Sequence, residues 1–201
     1  ILAIMKYTKK IIFLDDKEIA VIKKNNVAVY DFDGTERQKA VTNIDWDPLK
    51  SQKNEYKHYM LKEIYEQPEV ISDIIEDKLN SASKKIKFRH LNLEDNYWKT
   101  LNKIYIIACG TAWHAGLIGK YYIEEFAGIS VETDVASEFR YRNVPIKKDD
   151  LIIIISQSGE TADSLAALRE AKRKGARSLA VCNVRGSSLT RECDGVIYTN
   201  A

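Results

Sequence analysis

The 201-residue sequence holds no uninterrupted run of about eighteen apolar residues, which excludes a transmembrane helix of the usual kind. It has no large charge excess: 31 basic and 29 acidic residues leave a net charge of +2. Nucleic acid as a partner is therefore not expected, because no electrostatic footprint for phosphate backbone exists. Cysteine is scarce. Cys109, Cys182 and Cys193 show no CxxC spacing, which argues against a metal site and for a reducing, cytoplasmic compartment. The opening Ile1-Leu2-Ala3-Ile4-Met5-Lys6 lacks signal-peptide anatomy and an initiator methionine, and reads as the interior of a longer chain. Two phosphate-binding signatures are also missing. No Gly-Lys-Ser/Thr ending completes a Walker A loop, and no Gly-x-Gly-x-x-Gly marks a dinucleotide fold.

What is present is organised around Asp150 to Thr161. Leu151-Ile152-Ile153-Ile154-Ile155 is apolar without alternation, the pattern of a strand buried on both faces of a parallel sheet. Ser156-Gln157-Ser158-Gly159-Glu160-Thr161 follows as a polar turn, and then helix-forming sequence begins at Ala162. Strand, polar turn and helix start together offer unpaired N–H groups and a positive dipole end to an anion. The turn carries no lysine or arginine to balance a triphosphate, so a single phosphate held by hydroxyls and amides suits it best. The plainer alternative is that Ser156 and Ser158 cap the helix and do nothing else.

Residues 1–54 read as a meander of short strands: Ile11–Leu14, Glu18–Ile22 and Val27–Phe32, the last closed by an Asp33-Gly34 turn. Such strands leave one face uncovered and are expected to be part of a larger domain. Residues 45–57 read as a linker. Helix is expected from Tyr56 to Glu66, broken at Gln67-Pro68, and resumed from Glu69 to about Leu79. His58 and His90 have no sequence partner that would make either a catalyst or a ligand, and Trp98 reads as a packing residue. A short helix is expected near Glu94–Leu101.

From residue 103 the pattern alternates strand and helix. Strands are expected at Lys103–Cys109, Ser130–Asp134, 151–155, Arg177–Cys182 and Gly195–Tyr198. Helices are expected from about Trp113 to Phe126, at Ala136–Arg142, from Thr161 to Lys174, and at Ser187–Glu192. The fold class is α/β, a five-stranded, parallel, doubly wound sheet with right-handed crossovers. In a flavodoxin-like order, 2-1-3-4-5, ligands sit beyond the carboxyl ends of the first and third strands. The loops placed there are Cys109-Gly110-Thr111 and Ser156 to Thr161, the most chemically distinctive in the chain. That coincidence favours anion binding over capping alone. Cys109 ends a buried strand with no base beside it and reads as inert.

The same residues carry a family resemblance. Ala108-Cys109-Gly110-Thr111, Ala136-Ser137-Glu138-Phe139-Arg140-Tyr141-Arg142, Ser156 to Asp163, Cys182-Asn183-Val184 and Gly186-Ser187-Ser188-Leu189 resemble the first sugar-isomerase (SIS) domain of the glutamine–fructose-6-phosphate aminotransferases. His58-Tyr59-Met60-Leu61-Lys62-Glu63-Ile64-Tyr65-Glu66-Gln67-Pro68 resembles that family's interdomain segment, and residues 1–50 resemble the end of its glutaminase domain. The resemblance implies residues 1–54 as the last strands of an Ntn-type glutamine amidotransferase domain, 55–100 as a helical linker, and 101–201 as a first SIS domain truncated before the second. It implies a reaction in which ammonia from glutamine converts fructose 6-phosphate to glucosamine 6-phosphate, with no metal or organic cofactor. Ser156, Gln157, Ser158 and Thr161 would hold the sugar phosphate, and Cys109, Gly110 and Thr111 would line the sugar site. Ala112 stands where many members have serine. No catalytic residue is expected within this chain, glutamine would be met only through the glutaminase domain, and the chain alone is expected to bind weakly and not to turn over. A homodimer is implied; neither nucleic acid nor membrane is. Two other readings remain: a sugar-phosphate-sensing SIS module, and a simple isomerase in which Glu160 is the sole local acid–base candidate.

Overall fold

The computed structural model describes residues 7–43, 53–80, 85, 86, 88, 90, 91, 93 and 95–200. The chain divides into two compact units, Ile1–Ile64 and Tyr65–Ala201. The first contains β1 (Lys10–Ile11), β2 (Glu18–Lys23), β3 (Asn26–Asp31), β4 (Glu36–Arg37) and β5 (Thr42–Asn43). β2, β3 and β4 form an antiparallel sheet, and β1 pairs with β5. The strand expected over Ile11–Leu14 shrinks to β1, because its partner supplies only Thr42 and Asn43. Gly34 turns the β3–β4 hairpin at φ 88°, a left-handed conformation that glycine adopts without penalty. Of the large apolar residues on β2 and β3, Val29 is buried while Ile19, Val21, Ile22 and Val27 are exposed.

Helix α1 (Tyr59–Lys78) is continuous, where a break at Pro68 was expected. Proline lacks one donor and crowds the preceding turn, yet the helix runs through it, with Leu61, Ile64, Ile71 and Ile75 continuing along one exposed stripe. Its end runs into a two-residue hairpin that sequence patterning missed, β6 (Leu79–Asn80) against β7 (Lys85–Ile86). The linker expected over 45–57 lies largely outside the described residues. His58 is exposed, and the ring of His90 stands edge-on to Tyr198, with centroids 5.5 Å apart. Trp98, on α2 (Asp95–Thr100), meets Tyr97 edge-on but is 37% exposed, so it packs only in part.

The rest of the second unit is β8 (Lys103–Ala108), α3 (Thr111–Ala127), β9 (Ser130–Val135), α4 (Ala136–Phe139), β10 (Asp150–Ser156), α5 (Ala162–Arg173), β11 (Arg177–Cys182), α6 (Ser188–Glu192) and β12 (Gly195–Tyr198). The strands are parallel, in the order β12-β11-β10-β8-β9. Numbered within this sheet, that is the 2-1-3-4-5 order expected. Boundaries shift by a residue or two. The largest change is at α4, which closes at Phe139 rather than Arg142; the next three residues continue as a turn whose Tyr141 and Arg142 N–H groups both donate to the Glu138 carbonyl.

Two cores explain the unbroken isoleucine run. Tyr105, Ile107, Ile152, Ile154 and Ala180 face Phe139 of α4, Ala167, Leu168 and Ala171 of α5, and Leu189 of α6. Ile104, Ile106, Leu151 and Leu179 face the opposite way, with Ile123 of α3 and Tyr97 and Leu101 around them. A strand covered on both faces has no polar position to alternate with. The free edge of β12 is covered too. Val196 N–H donates to the His90 carbonyl at 2.9 Å, and Lys78 Nζ donates to the Tyr198 carbonyl at 3.0 Å. Among the described residues, no helix is long and apolar enough to cross a membrane.

Candidate functional site

Register decides which loops meet. β10 pairs with β8 as Ile155↔Ala108 and with β11 as Ser156↔Cys182. Three neighbouring strands therefore stop level with one another, and the chain leaves all of them at the same edge of the sheet. The turns that follow β8 and β10 are the two predicted from sequence. The third, residues 183–187 after β11, was not singled out as part of the site by residue chemistry alone.

At the β8–α3 turn, Cys109 is half-buried and packs against the core, while Gly110 and Thr111 are exposed. Gly110 is the N-cap of α3 at φ 59°, ψ −134°, a combination open in practice only to glycine. Lacking a side chain, it gives the helix no cap. At the β10–α5 turn, Thr161 is the N-cap of the twelve-residue α5, and it too makes no side-chain capping bond. The serines do not replace it. Ser156 Oγ accepts from Gly159 N–H at 3.0 Å, and Ser158 Oγ accepts from Glu160 N–H at 3.2 Å, both ahead of the helix. Capping by Ser156 and Ser158 is thus not what the turn is built for. Ser156 is 7% exposed and holds the turn from beneath. Gln157 and Ser158 are exposed at its crest, and Thr161 is half-buried. The result is two helix N-termini, without side-chain caps, on adjacent strands.

The third loop locks the second in place. Leu189 N–H donates to the Gly159 carbonyl at 3.0 Å, and Val184 N–H donates to the Gln157 carbonyl at 3.3 Å. The buried Cys182 thiol lies 3.7 Å from the Gln157 carbonyl and 3.6 Å from Ser187 Oγ. Gly159 has φ +66°, and a Cβ there would stand 2.1 Å from Ser187 Oγ and 2.9 Å from Cys182 Sγ. Such contacts come from chain segments about 25 residues apart, which is why patterning along one segment did not find them.

The turn's own charges are both occupied. Glu160 Oε1 accepts from Ser188 N–H at 2.8 Å. Asp163, in the first turn of α5, pairs with Arg140 at 2.7 Å, and that carboxylate holds the Arg140 guanidinium above its ordinary value. Cys193 lies elsewhere, between α6 and the start of β12, and burial pushes its thiol up to about 12, so it is not a nucleophile.

The family profile described as SIS domain matches residues 99–201, half of the chain. The chain belongs to the SIS domain family. The SIS sheet is the one just described, and the uncapped helix starts lie on it. Relatives extend beyond that domain. The chain is 50% identical over 197 residues to a glutamine–fructose-6-phosphate aminotransferase (isomerizing) of Clostridium tetani, and 51% identical over 197 residues to one of Caldanaerobacter subterraneus. Each alignment covers 98% of this chain and 32% of the relative, so the chain spans about a third of the length of the curated relatives it matches. Among solved structures, it is similar to the C-terminal domain of glucosamine-fructose-6-phosphate aminotransferase from Francisella tularensis. That match has a TM-score of 0.66 at 43% identity, covering 74% of this chain and 41% of the other.

Proposed function

We propose that this SIS domain is the sugar-phosphate-binding part of a glutamine–fructose-6-phosphate aminotransferase, which converts fructose 6-phosphate and glutamine to glucosamine 6-phosphate and glutamate. One observation carries the reading: α3 and α5 begin side by side on adjacent strands, without side-chain caps, beneath a crest of hydroxyls. Their first N–H groups and positive dipole ends suit a phosphate. In this reading Ser158, Gln157 and Thr161 hold the phosphate, with Ser156 fixing the turn and keeping its proton available as a donor. Cys109, Gly110 and Thr111 line the sugar, which is opened, aminated and isomerised by groups outside these loops. At Ala112, where many members place a serine, the contact is without a hydroxyl.

The same reading makes residues 1–54 the end of a glutaminase domain, through which glutamine is met, and 55–100 the linker. It makes the protein cytoplasmic, in keeping with three free cysteines, and a homodimer. The exposed aromatic face of α3, with Tyr121, Tyr122 and Phe126, supports pairing. The simple-isomerase alternative loses ground, since the Glu160 carboxylate it would use as base is committed to Ser188 N–H.

In the complete enzyme, Ser158→Ala and Thr161→Ala are each expected to weaken fructose 6-phosphate binding by roughly 1–3 kcal/mol. Isothermal titration with fructose 6-phosphate measures this, and unchanged affinity in both variants would leave the turn a purely structural feature.

A further inference from the structure

The proposed cradle poses an electrostatic problem. Residues 156–164 contain no lysine or arginine but do contain two acids, Glu160 and Asp163. Glu160 is turned onto Ser188 N–H at the start of α6. Asp163 is harder to dispose of. It is the second residue of α5, so its carboxylate is placed to take the N–H groups and the dipole end that an incoming anion needs. Left alone, it would compete with a phosphate and repel it.

Arg140 reaches Asp163 from another part of the fold. It is the C-cap of α4, with its N–H donating to the Ala136 carbonyl. The residue before it, Phe139, is fully buried and stands edge-on to Tyr105 of β8, with centroids 6.2 Å apart. The Arg140 guanidinium lies over the Tyr141 ring at 4.7 Å and donates from Nη1 to Asp163 Oδ1 at 2.7 Å. Its side chain is 31% exposed and that of Asp163 is 36% exposed, so water screens the pair in part, and what matters is where it holds the carboxylate rather than how strongly. The backbone of Arg140 is thus anchored beside a core residue, its guanidinium lies over an aromatic ring, and its reach ends on the one carboxylate that would spoil the helix N-terminus.

We propose that Arg140 is a positioning residue for anion binding: it draws off and neutralises Asp163, so that the N-terminus of α5 is free to receive a phosphate. This rests on the cradle reading above. A purely structural tie between α4 and α5 would need the same contact, so the test must separate charge from stability.

The probe is inorganic phosphate, titrated at fixed low ionic strength into wild type, Arg140→Met, Asp163→Asn and the double variant, with thermal midpoints measured on each. Arg140→Met is expected to weaken phosphate binding about tenfold or more, since the bare carboxylate then occupies the N-terminus. Adding Asp163→Asn to it is expected to restore affinity to within about threefold of wild type, although the ion pair is absent from both variants. Asp163→Asn alone is expected to bind as well as wild type. If the double variant stays as weak as Arg140→Met, or if Arg140→Met binds like wild type, the role assigned to Arg140 is overturned while the cradle stands. If wild type itself shows no saturable phosphate binding, the cradle reading fails and takes this inference with it.

Discussion

Replacing Gly159 with alanine is expected to abolish phosphate binding and to lower the unfolding midpoint of the second unit by roughly 10 °C. Two costs add. At φ +66° any other residue is strained, by about 1–3 kcal/mol. The new methyl would also be driven to 2.1 Å from Ser187 Oγ and 2.9 Å from Cys182 Sγ, neither of which can withdraw, because Cys182 ends a central strand and Ser187 is buried at the start of α6. Overpacking of that kind costs about 1–3 kcal/mol more. The turn must move, and with it the N–H groups at the start of α5. Gly110→Ala is the control. Its φ is also positive, at +59°, but nothing lies within 4 Å of a Cβ there. It should lose affinity through strain alone, with a smaller fall in midpoint. Circular dichroism melts and phosphate titrations on both variants check the order, and equal effects would contradict the locking role assigned to the third loop.

The second large effect lies at the opposite edge of the same strand. Asp150 is 1% exposed, and its carboxylate accepts from Lys147 N–H at 2.7 Å and from Asn102 Nδ2 at 2.9 Å. The Tyr97 hydroxyl donates to the Asp150 carbonyl at 2.9 Å. Burial, and after it the Asp150 charge, pushes that hydroxyl up to about 12, so it remains a donor across the ordinary pH range. Asp150→Ala removes the acceptor for two donors at a buried strand start. With hydrogen bonds to charged groups contributing about 1.5–3 kcal/mol each, a loss of about 3 kcal/mol is expected. Urea unfolding measures it. A loss under about 1 kcal/mol would mean that the buried charge is replaceable. Because Asp150 lies at the far end of the seven-residue strand from the turn, phosphate affinity below the unfolding midpoint should be unchanged.

The elements whose physics is local were readable in advance. The isoleucine run marked β10 because a doubly covered strand carries no polar face, and Arg177–Cys182 and Gly195–Tyr198 ended where their apolar residues ended. Alternating strands and helices point to a parallel, doubly wound sheet, and in a flavodoxin-like 2-1-3-4-5 order, which the structure has, the two polar turns fall together. What escaped notice depends on distant partners. Pro68 reads as a break because a proline costs a hydrogen bond, but one missing donor does not end the twenty-residue α1. The hairpin of Leu79–Asn80 with Lys85–Ile86 has two residues on each side, too few to show a period. The 183–187 loop carries part of the family resemblance, but its contact with the β10 turn is not visible in residue type, because Val184 N–H bonds a backbone carbonyl there. Nor could spacing reveal that Arg140 ends on Asp163, 23 residues further along.

The central claim is that one monophosphorylated sugar sits where α3 and α5 begin. Amide chemical-shift mapping of the 15N-labelled chain, titrated with fructose 6-phosphate and separately with fructose, tests it most directly. The account predicts saturable shifts with the phosphorylated sugar at Gly110, Thr111 and Ser158 to Asp163, and far smaller ones with fructose. Shifts confined to the arginine-lined surface around Arg169 and Arg173, or no saturable shift at the two turns, would contradict it.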